Sequence, residues 1–127
     1  MREGVEQLDE ATFKKRNLSD VWSKAYKNSY IFCIETEETI PGFPDVEILP
    51  KEHGIDPLFL EYKVSDKRGV IKFKKSQPIF YKKHPDMPIT VVAYNNKTGD
   101  RHTFDKDDLF LRGGRYEMNE RREVRLD

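Results

Sequence analysis

The apolar residues of this chain fall into short runs separated by charge, and the spacing changes from helical to alternating near residue 29. Residues 9–27 are helical in tendency. Asn17-Leu18-Ser19 reads as a break, after which Asn17 or Ser19 can cap a helix whose Val21, Trp22, Ala25 and Tyr26 share one side. Residues 29–36 are β-branched and aromatic and read as a strand, and Glu37-Glu38-Thr39-Ile40-Pro41-Gly42 supplies a hairpin turn into a second strand over 43–49. Two prolines and a glycine make 50–57 a loop, and 58–64 is the third strand. A polar turn at 65–69 precedes the short alternation 70–73. Ser76 can cap a helix over 77–83, where Pro78 is tolerated because first-turn amides have no helical partner. His84-Pro85 ends that helix, 89–94 is a strongly apolar strand, and 95–100 is a hairpin-type loop leading to 101–104. Residues 105–111 suit one helical turn. From Gly113-Gly114 onward the sequence predicts a charged, mobile tail.

The resulting order is α-β-β-β-α-β with an extra strand appended, which predicts an α+β fold with a mixed central sheet flanked by helices. At 127 residues the chain has room for one modest core, so residues 1–112 are expected to form a single domain and 113–127 the tail. The 36% charged fraction is high, but the equal hydrophobic fraction is enough to fold. Cys33 is the only cysteine, so no internal disulfide can form, and its apolar neighbours predict a packed thiol. With no signal-like N-terminus and no long apolar run, a soluble, cytoplasmic protein without membrane contact is expected.

Net charge is zero, yet it is unevenly spread. Residues 35–61 carry Glu35, Glu37, Glu38, Asp45, Glu47, Glu52, Asp56 and Glu61 against Lys51 alone. Residues 63–83 reverse the balance with Lys63, Lys67, Arg68, Lys72, Lys74, Lys75, Lys82 and Lys83 against Asp66, and arginines at 112, 115, 121, 122 and 125 form a second basic cluster. An acidic pocket beside a basic track suits a polyanionic ligand, which the track attracts and the carboxylates alone would repel.

The chemistry is concentrated in Asp45, Glu61 and Lys63. Residues two apart on a strand share a face, so Glu61 and Lys63 project together and Tyr62 projects oppositely. A neighbouring strand bringing Asp45 alongside would give two carboxylates and the Tyr62 backbone carbonyl as oxygen ligands for Mg²⁺, with Mn²⁺ a substitute. Lys63 would then orient water or stabilise charge growing on a phosphate. Glu47 shares Asp45's face and is a candidate for the same ion or for a lysine partner.

The segments Gly42-Phe43-Pro44-Asp45-Val46, Phe59-Leu60-Glu61-Tyr62-Lys63, Lys75-Ser76-Gln77 and Ile89-Thr90-Val91-Val92-Ala93-Tyr94 together resemble the PD-(D/E)XK nuclease superfamily. Its members include Holliday junction resolvases and restriction enzymes. The resemblance is greatest to small VRR-NUC-type and phage-encoded members and covers residues 29–94. It implies a restriction-endonuclease-like core, with Asp45 and Glu61 as metal ligands, Lys63 as catalytic lysine and Gln77 as an auxiliary active-site residue. A further acid is expected from the first helix, with Asp20 and Glu10 better placed than Glu6, or from Glu35 near the end of the first strand. The implied activity is Mg²⁺-dependent hydrolysis of DNA in a bacterial or phage-infected cell, with Lys67, Arg68, Lys72, Lys74, Lys75, Lys82 and Lys83 as backbone contacts. Cleavage of branched or junction DNA would need two active sites and so a homodimer, whereas a nicking or flap enzyme works as a monomer. The alternative is a non-catalytic DNA-binding or protein-interaction module on the same fold. His53, His84 and His102 are too scattered for a zinc site.

Overall fold

Asp9 starts the first helix by accepting a hydrogen bond from the Thr12 amide at 2.7 Å, which satisfies one of the unpaired first-turn donors. A computed structural model describes residues 4–34, 40–52, 54–112, 114–116 and 122–126. Residues 37–39 of the turn expected over 37–42, together with Glu35, His53, Gly113 and Arg121, lie outside them. Helix α1 (Glu10–Asn17) runs without a break into a π-helical turn, Leu18–Trp22, and then α2 (Ser23–Ala25). The break and cap expected at residues 17–19 are therefore absent. Asn17 has helical angles, φ −66° and ψ −42°, and its buried side chain accepts from the Tyr62 hydroxyl at 2.8 Å. A buried amide serving the sheet is not available as a cap.

The strands are β1 (Ser29–Cys33), β2 (Val46–Pro50), β3 (Leu58–Val64) and β4 (Val70–Lys72). After α3 (Ser76–Lys83) come β5 (Ile89–Tyr94), β6 (Arg101–Asp105), α4 (Lys106–Phe110), β7 (Leu111–Arg112), β8 (Arg115–Tyr116) and β9 (Glu123–Arg125). The main sheet has the order β1-β2-β3-β5-β6 and is mixed: β3 and β5 are parallel and the other neighbours antiparallel. A parallel pair needs a crossover, and β4 with α3 supplies it. The fold is α+β.

Alternation along β3 divides the core between the sheet's two faces. Leu60 and Tyr62 pack with Phe13 of α1, Val46, Ile48 and Val92. Phe59 packs on the opposite side with Phe80 and Tyr81 of α3, Phe110 of α4, Ile71, Phe73 and Val91. Glu61 and Lys63, two and four residues beyond Phe59, project on that α3 side. Among the described residues no helix is long and apolar enough to cross a membrane.

Three expectations are corrected by the packing. The strand expected over 43–49 starts only at Val46, because Gly42 turns at φ +87° and Phe43 leaves the ladder to pack edge-on to Phe59 and Phe80. Cys33 is exposed, since β1 is the sheet's edge strand. The tail expected to be mobile from residue 113 includes β9, which pairs with β4 and buries Val124 in the α3-side core. A single apolar residue between charges suffices there because β4 offers it both a ladder and a covered site.

Candidate functional site

The antiparallel register of β2 and β3 pairs Val46 with Leu60 and Glu47 with Phe59. Continued by one residue, it sets Asp45 opposite Glu61 on the α3 side of the sheet. Asp45 accepts from the Ile34 amide at 2.7 Å through its carbonyl. Its side-chain Oδ2 accepts from the Tyr62 amide at 3.0 Å, which holds the carboxylate at the point where β2 and β3 diverge. The Tyr62 carbonyl leaves β3 on the same side as its amide, as in any extended chain.

Asp45, Glu61 and Lys63 line an open cavity of about 230 Å³, together with Glu10, Ile34, Pro41, Gly42, Phe43, Lys74, Ser76 and Gln77. Of the acids named on and before the first helix, Glu10 is the one that lines this cavity. Position N1 of α1, just after the Asp9 cap, carries it to the cavity. Upstream, Asn96 holds this entry segment by accepting from the Leu8 amide at 2.9 Å and donating to the Leu8 carbonyl at 3.1 Å. Asp20 is exposed on the π-helical turn and Glu6 pairs with Arg16 at 2.9 Å, so neither contributes. Glu47 faces Phe59 in register and is not part of the cavity wall.

Glu61 is the most constrained group. It is 3% exposed, and its Oε1 is buried without a hydrogen-bond partner. Burial, then the charge of Asp45 and a hydrogen bond shared with it, push the Glu61 pKa well above the usual glutamate range, with Glu10 adding to the rise and Lys63 opposing it. Glu10 is exposed as a residue, but its carboxyl is crowded where it meets the cavity. That crowding and Asp45 raise its pKa against the pull of Lys63, Lys14 and Lys74.

Lys63 is buried, and its Nζ donates to Gln77 Oε1 at 2.8 Å while lying 4.8 Å from the centre of the Phe73 ring. Gln77 Oε1 also accepts from the Lys74 amide at 2.8 Å, so one side chain closes the first turn of α3 and anchors the lysine. The serine cap expected at residue 76 is not used. Lys75 stands at the cap position with no side-chain hydrogen bond, and the glutamine does the capping instead.

No protein-family model matches the chain, and no curated protein is significantly similar to it. What the site can do rests on its own chemistry.

Among the described residues, no three His, Cys, Asp or Glu side chains form a ready metal cage. Magnesium does not need one, because it keeps several waters and binds through one or two carboxylates. Asp45 and Glu61 fit that donor set, since burial and the neighbouring charge of Asp45 disfavour the ionised form of Glu61 and a cation there would relieve both. His84 lies 4.4 Å from the Phe80 ring and His102 stacks on Phe104 at 5.9 Å, both in structural settings.

The basic candidates are not equivalent. Lys74 lines the cavity, while Lys67, Lys75, Lys82 and Lys83 are exposed. Arg68 is held by Asp66 at 2.8 Å, and Lys72 lies 3.9 Å from Glu123 across the β4–β9 pair. Ser76, expected only as a helix cap, lines the cavity from the first turn of α3.

A pH dependence follows. Between the ordinary glutamate value of 4.5 and the raised value in the fold, folded Glu61 keeps a proton that the unfolded chain has released. Stability of the metal-free protein should therefore fall as pH rises through that window. Thermal scans across about pH 5 to 8 should show a declining midpoint in wild type and a flatter profile in Glu61→Gln, with added Mg²⁺ restoring stability at the upper end. A wild-type midpoint that rises steadily instead would contradict the assignment.

Proposed function

We propose that this chain is a magnesium-dependent DNA endonuclease with a restriction-endonuclease-like core. The observation that carries the reading is one open cavity in which Asp45, Glu61 and Glu10 converge beside a buried, glutamine-anchored lysine. With β4 set aside because it pairs with β9 outside the main sheet, the elements from α1 to β5 are compatible with an α-β-β-β-α-β core, and both β2 and β3 contribute to the site.

Asp45 and Glu61 would hold Mg²⁺, with the Tyr62 carbonyl on the same side of β3 as a further oxygen donor. When bound, the ion supplies Lewis-acid polarisation of the scissile phosphate and a more acidic water. Asp45 is kept in position by the Tyr62 amide, so it need not reorganise on binding. Glu10, at the cavity mouth with a raised pKa, is suited to accept a proton from water entering there. Lys63 directs its amine toward the charge that develops on the phosphoryl oxygens, and Gln77 keeps that amine from collapsing onto Glu61. Lys74 meets the phosphate at the rim, and Lys75, Lys82 and Lys83 on and beside α3 lengthen the contact along the backbone without reading bases.

The test is to incubate linear, flapped and branched DNA with the protein and Mg²⁺ or Mn²⁺, using Asp45→Asn as control. Metal-dependent cleavage by the wild type alone is expected, and the preferred substrate separates a junction enzyme from a nicking or flap enzyme. Binding of DNA with no cleavage of any form would favour a non-catalytic module and overturn the proposal.

A further inference from the structure

Among the described residues, three buried polar atoms on the α3 side of the sheet lack hydrogen-bond partners: Glu61 Oε1, the Tyr81 hydroxyl and, on β6 opposite Ala93, His102 Nε2. The first two belong to the same layer. Tyr81 is fully buried in α3 and packs in the cluster that contains Phe59, Val91 and Ala93. Phe59 precedes Glu61 on the same face of β3, and Val91 and Ala93 stand opposite Glu61 and Lys63 in the parallel register. Burial, then the charges of Glu61 and Asp45, push the Tyr81 pKa well above the usual tyrosine range, in keeping with a hydroxyl on the same side as those carboxyls.

An unpaired phenol or carboxylate oxygen in a core costs about 1–3 kcal/mol, and cores seldom leave two such groups unsatisfied when one can serve the other. A phenol can donate and the unprotonated oxygen of a carboxyl group accepts, so the two are complementary. They make no direct bond, and a single buried water accepting from the phenol and donating to the carboxylate satisfies both. Lys63, the nearest cation in sequence, gives its amine to Gln77 and leaves Glu61 Oε1 unheld.

We propose that Tyr81 is a positioning residue of the candidate site: its hydroxyl holds Glu61 Oε1 through one bridging water and so turns the other carboxylate oxygen toward the cavity beside Asp45. This rests on the reading of Glu61 as a metal ligand. A residue that orients a ligand acts on metal affinity far more than on stability, because Tyr81→Phe removes the buried phenol together with its need for a partner and leaves the water on Glu61.

Mn²⁺ binding by calorimetry and thermal midpoints are to be measured for wild type, Tyr81→Phe, Glu61→Gln and the double variant. Tyr81→Phe is expected to weaken Mn²⁺ about 10-fold or more with the midpoint unchanged, and to have no further effect in the Glu61→Gln background. Wild-type affinity in Tyr81→Phe, or an equal loss in both backgrounds, would overturn the inference. Metal-free carbon NMR keeps its failure separate from that of the metal reading. Tyr81→Phe should shift the Glu61 carboxyl signal even if the wild type binds no Mn²⁺, and an unmoved signal refutes the bridge. In the unsubstituted protein the Tyr81 hydroxyl proton should exchange slowly with solvent, and rapid exchange would equally refute it.

Discussion

Replacing Lys63 by methionine should reduce metal-dependent DNA cleavage by about 10²- to 10³-fold, the usual cost of removing one preorganised group that stabilises transition-state charge. The protein should remain folded. The lysine stem already lies in an apolar setting, with the amine over the Phe73 ring, and methionine fills an irregular apolar gap with favourable sulfur–aromatic contact. Gln77 keeps a partner for its side-chain oxygen in the Lys74 amide, so no new unpaired acceptor is created. The electrostatic effect on the acids is the second part of the expectation. Lys63 lowers the proton affinity of both Glu61 and Glu10, so removing it raises both further and moves any residual metal-dependent activity to higher pH. Initial rates over a pH series, with thermal midpoints alongside, test both parts. A variant that cuts at the wild-type rate would remove Lys63 from the chemistry.

Gly42→Ala should be among the most damaging single changes outside the central strands. The residue sits at φ +87°, where a side chain costs roughly 1–2 kcal/mol. A Cβ there would run into the Ser76 carbonyl oxygen and lie 2.8 Å from Phe80 Cβ. Neither is a flexible tip: one is backbone at the start of α3, the other is the base of a buried ring. Strain and overpacking together should cost about 3 kcal/mol, which is a fall of about 10 °C in thermal midpoint for a domain of this size. The damage should also reach the site, because Phe43, Pro44 and Asp45 follow directly and α3 carries Gln77. Cleavage should drop by more than the loss of folded protein accounts for. An unchanged midpoint would mean that the loop can move away from α3 without cost.

The strands at 58–64 and 89–94 and the helix near 77–83 were readable in the sequence because each is an uninterrupted local signal. β3 and β5 are central, so their apolar runs suffer little interference from solvent-facing positions. The pairing of Asp45 with Glu61 could be anticipated only as a possibility of adjacent strands, since register depends on where Gly42 turns the chain. The first-helix acid stayed ambiguous for a different reason. Helical periodicity could rank Glu10 and Asp20 only through an assumed break at residue 17, whereas the chain absorbs that irregularity as a π-helical turn that leaves Asp20 in solvent. The Asp9-to-Thr12 cap was the signal that would have placed Glu10 at the start of a helix. The β9 pairing was hidden because its only apolar anchor, Val124, is flanked by charges, and its partner lies more than fifty residues earlier.

The β4–β9 pair has a mechanical implication. The Phe73 amide donates to the Arg122 carbonyl at 2.7 Å, and the Leu126 amide to the Gly69 carbonyl at 2.8 Å, so the last described strand clamps both ends of the segment that leads to Lys74 and Gln77. A load applied at the C-terminal end, by a fusion partner or an immobilising surface, would pull on the strand whose neighbour places the Phe73 ring under the Lys63 amine. Attachment geometry is therefore an experimental variable for this protein, and cleavage measured on tethered material should depend on which end carries the tether.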